Sequence, residues 1–296
     1  MSKKYRIITD KEYGYLRADP LPSSKELENY YREEFYKPKP FNDSSLKVQK
    51  EGQNYYDARW EGIHEKCKSL LKNEYFSIFD IGFGYAQALL YFANKGLEVS
   101  GLEPSPEGVK YAKSKGLDVY EAGIDDFSIT NGKRFDVVMM LNVLEHLSHP
   151  NETLKSIQKN LLNPGGIVVI EVPNEFNDFQ TVAVAEHNLD EWWVCPPHHL
   201  NYFSAASLKR LLEKCDYEVE YMQGSFPMEI FLLMGDVYVG NQTLGKKCHD
   251  KRVEFEKVMR KHNKGEKLLA FYEALAELDL GRTSLVFARS KHYHKE

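Results

Sequence analysis

Phe76-Ser77-Ile78-Phe79-Asp80-Ile81-Gly82-Phe83-Gly84-Tyr85-Ala86 decides how this chain is read. An apolar run ends in an acidic residue and then in a loop nearly bare of side chains. Gly82 and Gly84 can take backbone angles that other residues avoid, and they let a ligand approach the main chain. Residues 87–95 carry a helical pattern, so the unpaired N–H groups of that helix would face the same place. The next apolar segment, 97–102, leads to Glu103. It lies about 20 residues beyond the glycines, the spacing at which a carboxylate grips ribose hydroxyls. These features point to a nucleoside-containing cofactor. The same residues also suit an ordinary βα turn that binds nothing, because short glycine motifs recur widely.

What the loop lacks narrows the choice. The third glycine of the dinucleotide fingerprint would fall at Gln87, a bulky residue that hinders close approach of a pyrophosphate and so disfavours NAD. The pattern Asp80-x-Gly82-x-Gly84-x-Ala86 resembles the first motif of the class I S-adenosylmethionine (SAM) methyltransferases, with Ala86 in place of its last glycine. Three further segments come in that family's order. Residues 120–127 resemble the stretch after its third strand, residues 135–147 its fourth strand and the start of the next helix, and residues 163–174 the turn into its fifth strand. The likeness is to the Methyltransf_23-like group of bacterial small-molecule enzymes. It implies a Rossmann-like α/β fold, with a seven-stranded, mostly parallel sheet and helices on both faces. It also implies a set of SAM-binding residues: Asp80, Gly82, Gly84, Ala86, Glu103, Pro104 and Asn142, with Asp125 or alternatively Asp126 at the adenine.

Composition sets outer bounds. The 296 residues carry a net charge of −5, which provides no general attraction for nucleic acid. Cys67, Cys195, Cys215 and Cys248 are widely separated and show no metal-ligand spacing, so no metal site and a reducing, cytoplasmic setting are expected. The first ten residues lack the apolar core of a secretory signal, and no apolar run reaches 18 residues, so no membrane association is expected.

Short β-branched runs alternate with helical stretches from Phe76 to Glu171, as parallel βαβ units do. Strands are expected at 76–81, 97–102, 117–120, 135–140 and 167–172, with helices at 86–95, 105–115 and 150–161. Two more strands are expected at 217–222 and 283–289. The reading divides the chain into an N-terminal extension (1–48), a SAM-binding core (49–225), a helical insertion (226–282) and a last core strand with its tail (283–296). The insertion is a candidate lid or homodimer contact. Ser23 and Ser24 begin a helix expected over 25–34. Residues 13–22, with Tyr30, Tyr31 and Tyr36, resemble the segment that comes after a small zinc hairpin in the same group. Here Asp10 and Tyr13 stand about where its cysteines would, so any hairpin is expected to be metal-free.

Several side chains are candidates for the chemistry. SAM carries its own activated methyl group, so the protein need only align an acceptor and, for a hydroxyl, remove a proton. His199, in a His-x-x-Tyr-Phe-Ser pattern shared with the family, is the first candidate base, and His146, in Leu144-Glu145-His146, the second. Either also suits a structural role. Arg59, on the helix leading into the core, can close over the SAM carboxylate or simply snorkel to water. The basic stretch 246–267 and Arg282 can attract phosphate, although Asp250, Glu254, Glu256 and Glu266 sit at pairing distance along the stretch. The end of strand four has no Asn/Asp-Pro-Pro-aromatic motif, which disfavours methylation of base amino groups. The expected reaction is O-methylation of a small molecule, a sugar or nucleotide-linked metabolite first. A non-catalytic SAM-binding scaffold and an NAD-dependent oxidoreductase are the alternatives.

Overall fold

In the computed structural model, which describes residues 5–23, 25–27 and 53–291, an antiparallel hairpin of β1 (Arg6–Thr9) and β2 (Leu16–Asp19) comes first. Asp10 clasps its turn: one carboxylate oxygen accepts the N–H groups of Glu12 and Tyr13, both at 2.9 Å. Gly14 comes next at φ +84°. The tyrosines at 30, 31 and 36, and most of the helix expected over 25–34, lie outside the described residues.

The helix α1 (Gln53–Leu71) leads into an alternating series. In order these are β3 (Ser77–Ile81), α2 (Gln87–Asn94), β4 (Glu98–Glu103), α3 (Pro106–Ser114), β5 (Tyr120–Glu121), β6 (Phe135–Leu141), α4 (Pro150–Asn160) and β7 (Leu162–Pro173). The chain continues through α5 (Asp178–His187), β8 (Asn201–Tyr202), α6 (Ala205–Lys214) and β9 (Tyr217–Gly224). Three helices, α7 (Glu229–Leu233), α8 (Gln242–Lys261) and α9 (Gly265–Glu277), precede β10 (Thr283–Ser290).

Seven strands form one sheet in the order β5-β4-β3-β6-β7-β10-β9. Neighbours from β5 to β7 are parallel, and β10 enters antiparallel to both β7 and β9. Both faces are covered, as a mostly parallel sheet requires. Val137 and Met139 of β6 pack with Trp60, Ile63 and Phe92, while Val138 and Met140 pack with Leu154, Ile157 and Leu211. This period of two along one strand divides the core between two helical layers. Burying each such side chain contributes about 1.5–3 kcal/mol.

The details depart from the sequence reading in three places. The strand expected at 117–120 shrinks to Tyr120–Glu121, paired only with Leu102 and Glu103. At this sheet edge the Ser100 hydroxyl, not a ladder bond, holds the Asp118 carbonyl at 2.8 Å. Helix α5, started by the Asn177 cap on the Gln180 N–H, falls where no helix was expected. The insertion breaks between α8 and α9, where Asn263 turns the chain at φ +57°.

The hairpin belongs to a second sheet. β2 pairs antiparallel with β8, Leu16 opposite Tyr202 and Arg17 opposite Asn201, and the Ala18 N–H donates to the Leu200 carbonyl at 2.8 Å. Among the described residues, no helix is long and apolar enough to cross a membrane.

Candidate functional site

The carboxyl ends of β3, β4 and β6 build a cradle. A Cβ on Gly82, at φ +73°, would stand 2.8 Å from the Val143 side chain and 3.5 Å from that of Ile124. Glycine is therefore required where the loops after β3, β5 and β6 converge. Gly84, at φ +55°, is different: a Cβ there would meet nothing within 4 Å, so the loop presents an open backbone face. On its other side the loop is pressed by α3, since a Cβ on Gly108 would come within 2.4 Å of the Gly84 carbonyl. Ala86 begins α2 in the left-handed region, φ +55°, and is fully buried. Its small side chain fits where the family motif has glycine, at a cost of about 1 kcal/mol.

Glu103, 3 % exposed, reaches back to this loop. Its Oε2 accepts the Gly84 N–H at 2.9 Å and its Oε1 the Ser105 N–H at 2.8 Å. Asp80 is buried at the end of β3, and burial, then the Glu103 charge, pushes its carboxyl well above the usual carboxylate range against the pull of Arg59. Pro104 is exposed and leads into Ser105, whose hydroxyl caps α3 by accepting the Gly108 N–H. Asp125 and Asp126 are both exposed after β5. Asp126 already accepts the Ser128 hydroxyl at 2.6 Å, which leaves Asp125 the better placed to meet a ligand. Asn142 turns the chain after β6 at φ +57°, with its N–H on the Glu171 carbonyl at 2.8 Å.

Arg59 reaches from α1 to β7, where it pairs with Glu171, and its guanidinium lies 4.6 Å from the Trp60 ring centroid. The aromatic Tyr55, one turn earlier, is covered by Arg252 of α8, 5.1 Å from its ring centroid. The insertion therefore packs over the start of α1. The open face at Gly84 and the buried Glu103 carboxylate suit a nucleoside laid across the glycine loop.

Beside this cradle the fold gathers three imidazoles. The ring centroids of His146, His198 and His199 are 4.7 to 5.2 Å apart. His146 lies in the single 3-10 turn after β6, and the other two lie in the loop before β8. The two segments are stitched together. The Leu200 N–H donates to the Glu145 carbonyl at 2.9 Å, and the Asn201 side-chain amide donates to the Leu147 carbonyl at 2.7 Å. His199 Nδ1 is 2.8 Å from the Glu175 carboxyl, and His146 Nδ1 donates to the His198 carbonyl at 2.6 Å. Burial pushes both His146 and His199 down to about 4, with the neighbouring His199 adding to the shift of His146. The same burial raises Glu175 and Glu145 well above the usual range, so these groups all favour their neutral forms. The two candidate bases thus share one cluster.

Other candidates are committed elsewhere. Arg282, a phosphate candidate on sequence grounds, pairs at 2.9 Å with Glu229, which is fully buried. An unpaired buried carboxylate is costly, so that guanidinium is a structural counter-ion. The basic face of α8 is drawn into pairs of Lys246 with Asp250, Lys251 with Asp236 and Lys257 with Glu254.

The sequence reading overlooked His198 and the acidic residues Glu171 and Glu175. The His-His pair after Pro196-Pro197 is a local signal for His198. The two glutamates carry none, because their partners lie far away along the chain.

The comparisons bear on this geometry. A family model, Methyltransf_23, described as a methyltransferase domain, matches residues 38–221. A ubiquinone biosynthesis O-methyltransferase of Caulobacter vibrioides is 30 % identical over 131 residues, 42 % of this chain and 51 % of that protein. The protein of the same name from Azorhizobium caulinodans is 27 % identical, over 50 % of this chain and 60 % of its own length. The chain thus spans a little over half the length of these curated relatives. Among solved structures, the Burkholderia thailandensis 1,6-didemethyltoxoflavin-N1-methyltransferase, with S-adenosylhomocysteine bound, matches with a TM-score of 0.52 at 14 % identity, covering 98 % of this chain and 100 % of that one. The plantazolicin methyltransferase BpumL matches at 0.55 and 14 % identity, over 90 % of this chain and 94 % of its own. At such identities the likeness is one of fold.

Proposed function

We infer the reaction from one premise: the chain belongs to the Methyltransf_23 methyltransferases, a family of SAM-dependent enzymes with the class I fold. We propose that it methylates an oxygen of a small-molecule acceptor. The observation that carries the proposal is the placement of two devices at the same end of the sheet. One is the glycine loop gripped by Glu103, and the other is the imidazole cluster backed by Glu175.

In this reading Gly82, Gly84, Glu103, Asp125 and Asn142 hold the cofactor, with Asp80 and Ala86 shaping the loop and Arg59 closing the α1 side. When bound, SAM supplies an electrophilic methyl group on a sulfonium. His199 accepts the proton of the acceptor hydroxyl, and the Glu175 carboxyl at its Nδ1 holds the ring in orientation. His146 lies within the same cluster as the second proton acceptor. Curated relatives named O-methyltransferases support oxygen as the acceptor atom. A sugar or nucleotide-linked acceptor keeps a weaker phosphate argument, because Arg282 and Lys246, Lys251 and Lys257 of α8 are paired with acids. Four cysteines, none in a disulfide, support a cytoplasmic location.

The test is incubation with deuterated-methyl SAM and a bacterial metabolite extract, read by mass spectrometry, with Glu103→Ala as the control. A labelled product missing from the control supports methyl transfer and identifies the acceptor. SAM binding with no labelled product in any extract would instead favour a non-catalytic scaffold.

A further inference from the structure

We propose that His146, His198 and His199 form a binding site for one divalent transition-metal ion of the zinc type. Their ligand-capable nitrogens all lie within 4.8 Å of one another. Zinc–nitrogen bonds of about 2.0–2.1 Å in a tetrahedron bring such atoms to roughly 3.3 Å, so the three nitrogens must draw together by up to about 1.5 Å to close the site. Three imidazoles select zinc, copper, iron or nickel over magnesium or calcium, and three protein ligands leave a fourth position for water or an acceptor oxygen.

Two further observations favour a cation here. The first is the outer shell. His199 is oriented through Nδ1 by the Glu175 carboxyl at 2.8 Å, and His146 through Nδ1 by the His198 carbonyl at 2.6 Å. Metal-bound histidines are characteristically fixed in this way, by a carboxylate or carbonyl on the nitrogen that does not face the ion. The second is charge. Glu145 and Glu175 are 1 % and 5 % exposed, and each keeps one buried carboxyl oxygen, Oε2, without a hydrogen-bond partner. Glu145 Oε1 also lies 3.6 Å from His146 Nε2. Buried carboxyl groups with an unsatisfied oxygen are costly as they stand, and a cation held between the imidazoles lets them ionise and pair with it.

The ion would change the part His199 plays. As a ligand it no longer accepts the acceptor's proton; a metal-bound hydroxyl would ionise more readily instead, losing its proton to water. This last clause rests on the methyl-transfer reading; the metal site does not.

The protein, stripped with chelator, is titrated with cobalt(II) and followed by visible absorption, with zinc then added as competitor. The expected result is one equivalent bound with the intense bands of tetrahedral cobalt, displaced by zinc. His198→Ala and His199→Ala should each weaken binding at least 100-fold, and Glu175→Gln, which keeps all three ligands, by about 10–100-fold. His64→Gln, in the separate Glu61–His64–Glu65 group on α1, should bind as the parent does. Circular dichroism identifies any variant that fails to fold; His198→Gln then replaces the alanine. No tetrahedral cobalt spectrum in the folded parent overturns the proposal. So does one-equivalent binding that survives both histidine substitutions. Because the readout is metal uptake, its failure leaves the methyl-transfer assay untouched, and a negative methyl-transfer assay leaves the metal titration standing.

Discussion

Glu103 and Gly84 are bound to each other across 19 residues: the carboxylate at the end of β4 accepts the loop N–H at 2.9 Å. The residue proposed to hold a ribose is also the one that sets the shape of the loop beneath it. A charge-assisted bond of this kind contributes about 1.5–3 kcal/mol. Glu103→Ala should therefore weaken SAM binding by at least 10–100-fold and also lower the thermal midpoint. Calorimetric titration and a melting curve read the two effects. Unchanged affinity would remove Glu103 from the cofactor site.

Gly84 and Gly108 separate open space from packing space. Gly84→Ala places its methyl in the open face, so SAM affinity should fall sharply while stability drops by only about 1–2 kcal/mol for the left-handed φ. Gly108→Ala drives a methyl against the Gly84 carbonyl and should cost more stability. Urea unfolding of the two variants ranks them. A Gly84 variant that bound SAM normally would show that the open face is not the cofactor's.

Arg59 and Glu171 join α1 to β7 with little exposure to water. Arg59→Met leaves a buried carboxylate without its partner and should destabilise by about 3–5 kcal/mol. Replacing both, as Arg59→Met with Glu171→Leu, should recover most of that loss. Chemical denaturation of the single and double variants measures the difference. Equal stability of the two would show that the cost of the single change comes from lost packing of the guanidinium on Trp60.

His64 tests pH dependence away from the site. It lies between Phe76 and Phe92, with ring centroids 5.7 and 6.1 Å away, and neither ring nitrogen has a hydrogen-bond partner. Burial lowers its pKa; Glu61 and Glu65 oppose the shift and Lys68 and Lys95 add to it. The unfolded chain takes up a proton near pH 6.5 that the folded chain resists. The stability contributed by neutral His64 is therefore present above about pH 6.5 and is lost as the pH falls below it. His64→Leu should gain on the parent between pH 7.5 and 5.5, as read from urea midpoints. A constant gap across that range would show that His64 titrates alike in both states.

Much of the sheet was legible because its signals are local. An apolar run, a glycine loop and an acid at fixed spacing define β3, its turn and Glu103 whatever lies around them, and each βαβ unit repeats that grammar. The edge strand β5 and the helix α5 were not legible in the same way. The first depends on a single neighbouring strand, and the second on one cap inside an aromatic stretch.

The chemistry divides along the same line. Sequence alone determined the glycine loop and the two candidate histidines, His146 and His199, since their motifs lie within short windows. Only the tertiary structure decided that these histidines meet, with His198, in one cluster backed by Glu175. Only it showed that Arg59 and Arg282 are held by Glu171 and Glu229. Such pairs form between residues 24 to 112 positions apart. Spacing along the chain carries no record of them, because burial and charge compensation act only once the sheet has brought its strand ends together.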